Sequence, residues 1–94
     1  MSKAASDRRA LVTGGSRGIG AAVCRHLAQM GHPVIVNFAS NREAADRVVE
    51  SIRSDGGEAD AVQFDVADGD ATGAAIEQLL SDKRPISVIV NNDG

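Results

Sequence analysis

Four short β-rich runs alternate with three helical stretches along this chain, and the alternation leaves few architectures open. The runs are "RALVT" (Arg9–Thr13), "PVIVNF" (Pro33–Phe38), "DAVQF" (Asp60–Phe64) and "ISVIVN" (Ile86–Asn91). The first, second and fourth are almost continuously apolar, the pattern of strands covered on both faces. Between the first two, Ile19, Ala22, Val23, Leu27 and Met30 recur at helical spacing, and Gly31 ends the pattern. A second helix is expected from an N-cap near Asn41, with Ala45, Val48, Val49 and Ile52 on one face and Gly56-Gly57 at its close. A third starts near Asp68 and carries Ala75, Ile76, Leu79 and Leu80. The order βαβαβαβ predicts parallel strands joined by right-handed helical crossovers, an α/β fold.

The 94 residues suffice for one small domain or part of a larger one. Residues 1–7 read as a polar tail and 8–94 as the folded portion. The net charge of −3, with no basic block, argues against nucleic acid or an anionic membrane surface as the main partner. Phe38 and Phe64 are the only aromatics, so no base-stacking platform is available. A single cysteine, Cys24, excludes an internal disulfide and suits a reducing compartment. "MSKAASDRR" lacks the apolar core of a signal peptide, and no apolar run approaches a membrane span. The expectation is a cytoplasmic protein. His26 and His32 sit near no acid–nucleophile pattern, and no metal site is expected. Arg42, Glu43, Asp46, Arg47 and Glu50 read as the solvated face of the second helix.

The chemistry concentrates in "TGGSRGIG", Thr13–Gly20, between the first strand and the first helix. Gly14 leaves the strand at a turn, and Gly18 and Gly20 place no side chain where the helix begins. N–H groups at that end carry the positive end of the helix dipole, an anion site that fits a pyrophosphate. The spacing is G-x-x-x-G-x-G rather than G-x-G-x-x-G. A tight strand–helix connection without a ligand is the other reading of the loop alone.

The octet resembles the cofactor loop of the short-chain dehydrogenase/reductase family. "FDV" (Phe64–Val66) and "VNNDG" (Val90–Gly94) extend the resemblance, each at the carboxyl end of a strand. Within the family the chain looks most like the 3-oxoacyl-[acyl-carrier-protein] and acetoacetyl-CoA reductases. The resemblance implies a Rossmann-like parallel sheet in the order 3-2-1-4, with two helices on one face and the third on the other, incomplete at its C-terminal side. It implies NADP(H) as cofactor. Gly14, Gly15, Ser16 and Arg17 then hold the phosphates, Gly18 and Gly20 open the helix, and Ile19 lies near the nicotinamide end. Ala39, Ser40 and Asn41 meet the adenosine ribose. Phe38 stands where NAD-preferring relatives carry Asp, and no acid follows until Glu43. Ser40 and Asn41 can donate to a 2′-phosphate, Arg17 supplies charge, and Arg42 is a further candidate. Asp65 and Val66 bracket the adenine, with helix capping as the alternative role for Asp65. Asn91 braces the sheet, while Asn92 and Gly94 line the ribose. Asp93 departs from the family, which has alanine there.

Family members reduce a carbonyl with a Ser–Tyr–Lys set that follows the fourth strand. This chain contains no tyrosine, and Lys83 precedes that strand, so no catalytic residue is assigned. The expectation is the N-terminal portion of a reductase, with the fourth strand left as an apolar edge. The complete enzyme would form a homo-oligomer and act on a thioester of acyl-carrier protein or coenzyme A. The alternative is a non-catalytic dinucleotide-binding or interaction module that pairs with a partner chain.

Overall fold

The computed structural model describes residues 8–16, 18–81 and 85–91, with Asn91 described by its backbone. Its elements are β1 (Arg9–Thr13), α1 (Gly18–Gln29), β2 (Val34–Phe38), α2 (Arg42–Ser54), β3 (Ala59–Gln63), α3 (Gly69–Leu80) and β4 (Ile86–Asn91). The strands form one parallel sheet, as the alternation predicts, in the order β3-β2-β1-β4 that the family resemblance implies. The polar tail expected at 1–7 lies outside the described residues.

Two strand boundaries differ from expectation. β2 begins at Val34, because Pro33 has no N–H for the ladder; its carbonyl instead accepts the Ala10 N–H at 2.8 Å. β3 lies one residue earlier than its apolar run suggests, although Phe64 still donates its N–H to Phe38 O at 3.1 Å.

Helix ends follow local chemistry. Asn41 caps α2 by accepting the Ala44 N–H at 3.0 Å, and Asp68 caps α3 by accepting the Ala71 N–H at 3.1 Å. At the end of α1, His32 N–H donates to Leu27 O and Gly31 N–H to Ala28 O. At the end of α2, Gly57 N–H donates to Ile52 O and Gly56 N–H to Arg53 O. Both are Schellman ends, which turn the chain sharply into the next strand.

α1 and α2 cover one face of the sheet, over Val12, Val34, Val36, Phe38 and Ala59. α3 covers the other, where Ala75, Ile76 and Leu79 pack on Leu11, Ile35 and Phe64. β1 and β2 are buried along their full length. β4 lies at the end of the described sheet, the apolar edge that was expected, and although its run reads as covered on both faces, Ile89 is 62% exposed. A register shift explains the layout. Arg9 pairs with Ile86 but Ala10 with Val88, which leaves Ser87 as an extra residue. Ile86 therefore joins the α3 face and Val90 the α1/α2 face. Ile89, opposite Leu11, lies beyond the reach of α3.

The start of β1 holds a buried charge. Arg9 is 5% exposed, and its Nη2 donates to Leu79 O at 2.6 Å. The guanidinium thus meets the negative end of α3. Among the described residues no helix is long and apolar enough to cross a membrane.

Candidate cofactor site

The loop leaving β1 lies directly on the helix that follows it. A Cβ added at Gly15 would sit 2.9 Å from Cys24 Sγ and 3.0 Å from Val12 O, so a larger residue would push the loop off α1. Gly18 opens α1 with φ 61°, a left-handed conformation that side chains rarely tolerate. Cys24 fills the space beneath. Its thiol donates to Gly15 O at 3.7 Å, and burial pushes it up to about 12 against a slight opposing effect of Arg25. Cys24 is a packing residue, as its place on the helix suggests.

The first two loop amides turn inward. Gly14 N–H donates to Asn37 Oδ1 at 3.0 Å, and Gly15 N–H to Asn37 O at 3.0 Å. The Asn37 amide also donates to Phe64 O at 2.9 Å and Val62 O at 3.4 Å. Ser16 is half-buried, Ile19 is exposed and Gly20 is buried within α1. At the neighbouring edge, Thr13 Oγ1 donates to Val90 O at 3.3 Å, tying β1 to β4.

At the end of β2, Ala39, Ser40 and Asn41 are exposed. Phe38 points into the α1/α2 core, and the Arg42 guanidinium lies over its ring, 5.1 Å from the centroid. Glu43, the first acid after β2, is 3.9 Å from Arg47 on the exposed helix face. At the end of β3, Asp65 and Val66 are exposed. Asp65 Oδ1 accepts the Ala67 N–H at 2.9 Å and shapes the turn, whereas the α3 cap is Asp68.

The structure therefore brings Gly14–Ser16, Gly18–Gly20, Ala39–Asn41 and Asp65–Val66 to one edge, the carboxyl ends of β1, β2 and β3. That edge is where open α/β sheets receive ligands. Arg17, Lys83, Asn92, Asp93 and Gly94 lie outside the described residues, and Asn91 is placed by its backbone pairing with Thr13. His26 is exposed in the last turn of α1, and His32 Nδ1 lies 3.0 Å from Arg8 O, so neither belongs to the site. Among the described residues no group of three or more His, Cys, Asp and Glu side chains could hold a metal ion.

Sequence reasoning missed Asn37. The signal was present: a lone amide inside the apolar run "VIVNF" is buried if the strand is central, and a buried amide needs partners.

The family model described as short chain dehydrogenase matches residues 8–94. The chain belongs to the short chain dehydrogenase family. Among curated members it is 44% identical over 87 residues to a 3-oxoacyl-[acyl-carrier-protein] reductase, FabG, of Staphylococcus aureus; the match covers 93% of this chain and 35% of that protein. It is 44% identical over 85 residues to a versicolorin reductase of Emericella nidulans, covering 90% of this chain and 32% of that one. The chain thus spans about a third of these relatives. A metagenomic short-chain oxidoreductase in complex with NADP superposes with a TM-score of 0.88 at 37% identity, over 95% of this chain and 40% of the other. A short chain dehydrogenase of Burkholderia cenocepacia in complex with NADP gives 0.86 at 40%, over 96% and 37%. A short chain dehydrogenase uses a nicotinamide dinucleotide, and these structural neighbours hold NADP.

Proposed function

We propose that this chain forms the cofactor-binding portion of an NADPH-dependent reductase that converts a 3-oxoacyl thioester, of acyl-carrier protein or coenzyme A, to the 3-hydroxyacyl form. The observation that carries the reading is the gathering of Gly14–Ser16, Gly18–Gly20, Ala39–Asn41 and Asp65–Val66 at one sheet edge. The likeness to 3-oxoacyl-[acyl-carrier-protein] reductases supports the substrate class.

The residues present fit the cofactor. Gly15 and Gly18 keep the loop close and bare, and the first turn of α1 carries no acid. A pyrophosphate would lie against the start of α1, held by donors beyond Gly15, with Arg17 supplying charge. Residues 38–42 contain no carboxylate to repel a 2′-phosphate, while Ser40 and Asn41 are exposed there. Asp65 and Val66 would flank the adenine, Ile19 would lie near the nicotinamide, and Asn92 and Gly94 would line its ribose. Bound NADPH supplies the hydride. The residues of this chain bind and orient it; proton delivery to the carbonyl falls to residues outside this tyrosine-free chain. The same reading places the protein in the cytoplasm and makes the working enzyme a homo-oligomer.

Calorimetric titration of the protein that carries this chain tests the cofactor assignment. NADPH should bind at least about tenfold more tightly than NADH, and Arg17→Ala should remove most of the difference. Equal affinities, or a preference for NADH, would overturn it.

A further inference from the structure

We infer that Asn37 is a positioning residue for the cofactor: one buried side chain sets the spacing between the glycine loop and the β3–α3 turn. The inference rests on the NADPH reading above. Asn37 is 2% exposed and sits in β2, between β1 and β3. Its Oδ1 takes the Gly14 N–H at 3.0 Å on one side, while its amide nitrogen gives to Phe64 O at 2.9 Å and Val62 O at 3.4 Å on the other. Its main-chain carbonyl accepts the Gly15 N–H at 3.0 Å. A single residue thus clamps both strand ends that flank it.

The orientation of the amide is forced. Gly14 offers a donor and Phe64 an acceptor, so exchanging the oxygen and nitrogen would set donor against donor. The asparagine amide offers the acceptor and the donor on separate atoms that face opposite neighbours. Aspartate would face the Phe64 carbonyl with a second acceptor, and leucine would leave both groups facing a methyl.

The consequence lies one layer above. Gly14 and Gly15 begin the loop that meets the phosphates, and Phe64 immediately precedes Asp65 and Val66, which meet the adenine. The cofactor bridges the two segments, so its affinity depends on their separation. Asn37 is buried beneath them and acts through both segments rather than on the cofactor itself.

The test compares Asn37→Leu with the parent in the complete, active protein, at a temperature where circular dichroism shows both folded. Dissociation constants are measured for NADPH and for 2′,5′-ADP, the adenosine half alone, and kcat at saturating NADPH. Each dissociation constant should rise about tenfold, while kcat stays within about threefold. Asn37→Ser, which cannot reach both strands, serves if the leucine variant does not fold, and the same losses are expected. A fall in melting temperature with both constants within twofold of the parent would show a purely structural role and overturn the inference. Failure of the parent itself to bind NADPH or 2′,5′-ADP would overturn the cofactor reading as well, so the two failures are distinct.

Discussion

On one face of the sheet, α2 buries Ala44, Ala45, Val48, Val49 and Ile52, and α1 adds Gly20, Ala21 and Cys24; on the other, no residue of α3 is fully buried. The strands supply both faces alike, with Val12, Val34 and Val36 on the first and Leu11 and Ile35 on the second. The difference therefore comes from the helices. Small residues in that core, Ala21, Cys24 and Ala45, let those helices settle onto β1 and β2. α3 is held by fewer apolar contacts and by polar ties at its ends: Arg9 to the Leu79 carbonyl, the Asp68 cap, and Thr72 Oγ1 to Asp65 O at 3.3 Å. The site spans this divide. The glycine loop and the β2–α2 turn rest on the dense face, whereas the β3–α3 turn is continuous with α3. Asn37 bridges them.

The sharpest contrast between the faces is chemical. Cys24 on the dense face has its thiol raised from 9.0 to about 12, so it keeps its proton at pH 8, and only a pH near 12 or unfolding would release the thiolate. A cysteine introduced by Ala74→Cys on the exposed side of α3 has no such protection. At pH 8, iodoacetamide should label Cys24 at least about a thousandfold more slowly than position 74, followed by peptide mass spectrometry. Comparable rates would erase the contrast.

Truncations sharpen it in energetic terms. Ile52, buried to 2% exposure in α2, should cost about 2–4 kcal/mol when replaced by alanine. Leu80, 47% exposed at the end of α3, should cost less than about 1 kcal/mol. Urea unfolding midpoints of Ile52→Ala and Leu80→Ala measure both. Similar losses at the two positions would mean that α3 is covered as fully as α2.

What the sequence could reveal follows from the range of each interaction. Apolar alternation and glycine placement act over a few residues, so the parallel strands, the Asn41 cap and the glycine ends of α1 and α2 were legible, as was the meeting of the glycine loop with Asp65 and Val66 at one edge; the strand order came with the family resemblance. The residues that resisted depend on distant partners. Arg9 looks like an ordinary strand-leading charge until Leu79 O arrives from α3. Phe38 ends β2 beside the exposed turn Ala39–Asn41, yet its ring belongs to the core, because β2 is central and α2 crosses above it. Asn37 has a purpose only when β1 and β3 are both in place. The register shift at Ser87, which puts Ile86 on the same face as Ile89, is announced by no local pattern.

The carboxyl edge of the sheet, proposed above as the cofactor site, spans both packing regimes. Amide hydrogen exchange of the protein that carries this chain, with and without NADPH, tests that proposal most directly. The account predicts slower exchange across residues 14–20, 39–41 and 65–66, and no change at the opposite edge, where Arg25, Ala28, Gln29, Ile52, Asp55 and Gly57 line a shallow groove between the ends of α1 and α2. Protection centred on that groove, or none at the glycine loop, would contradict it.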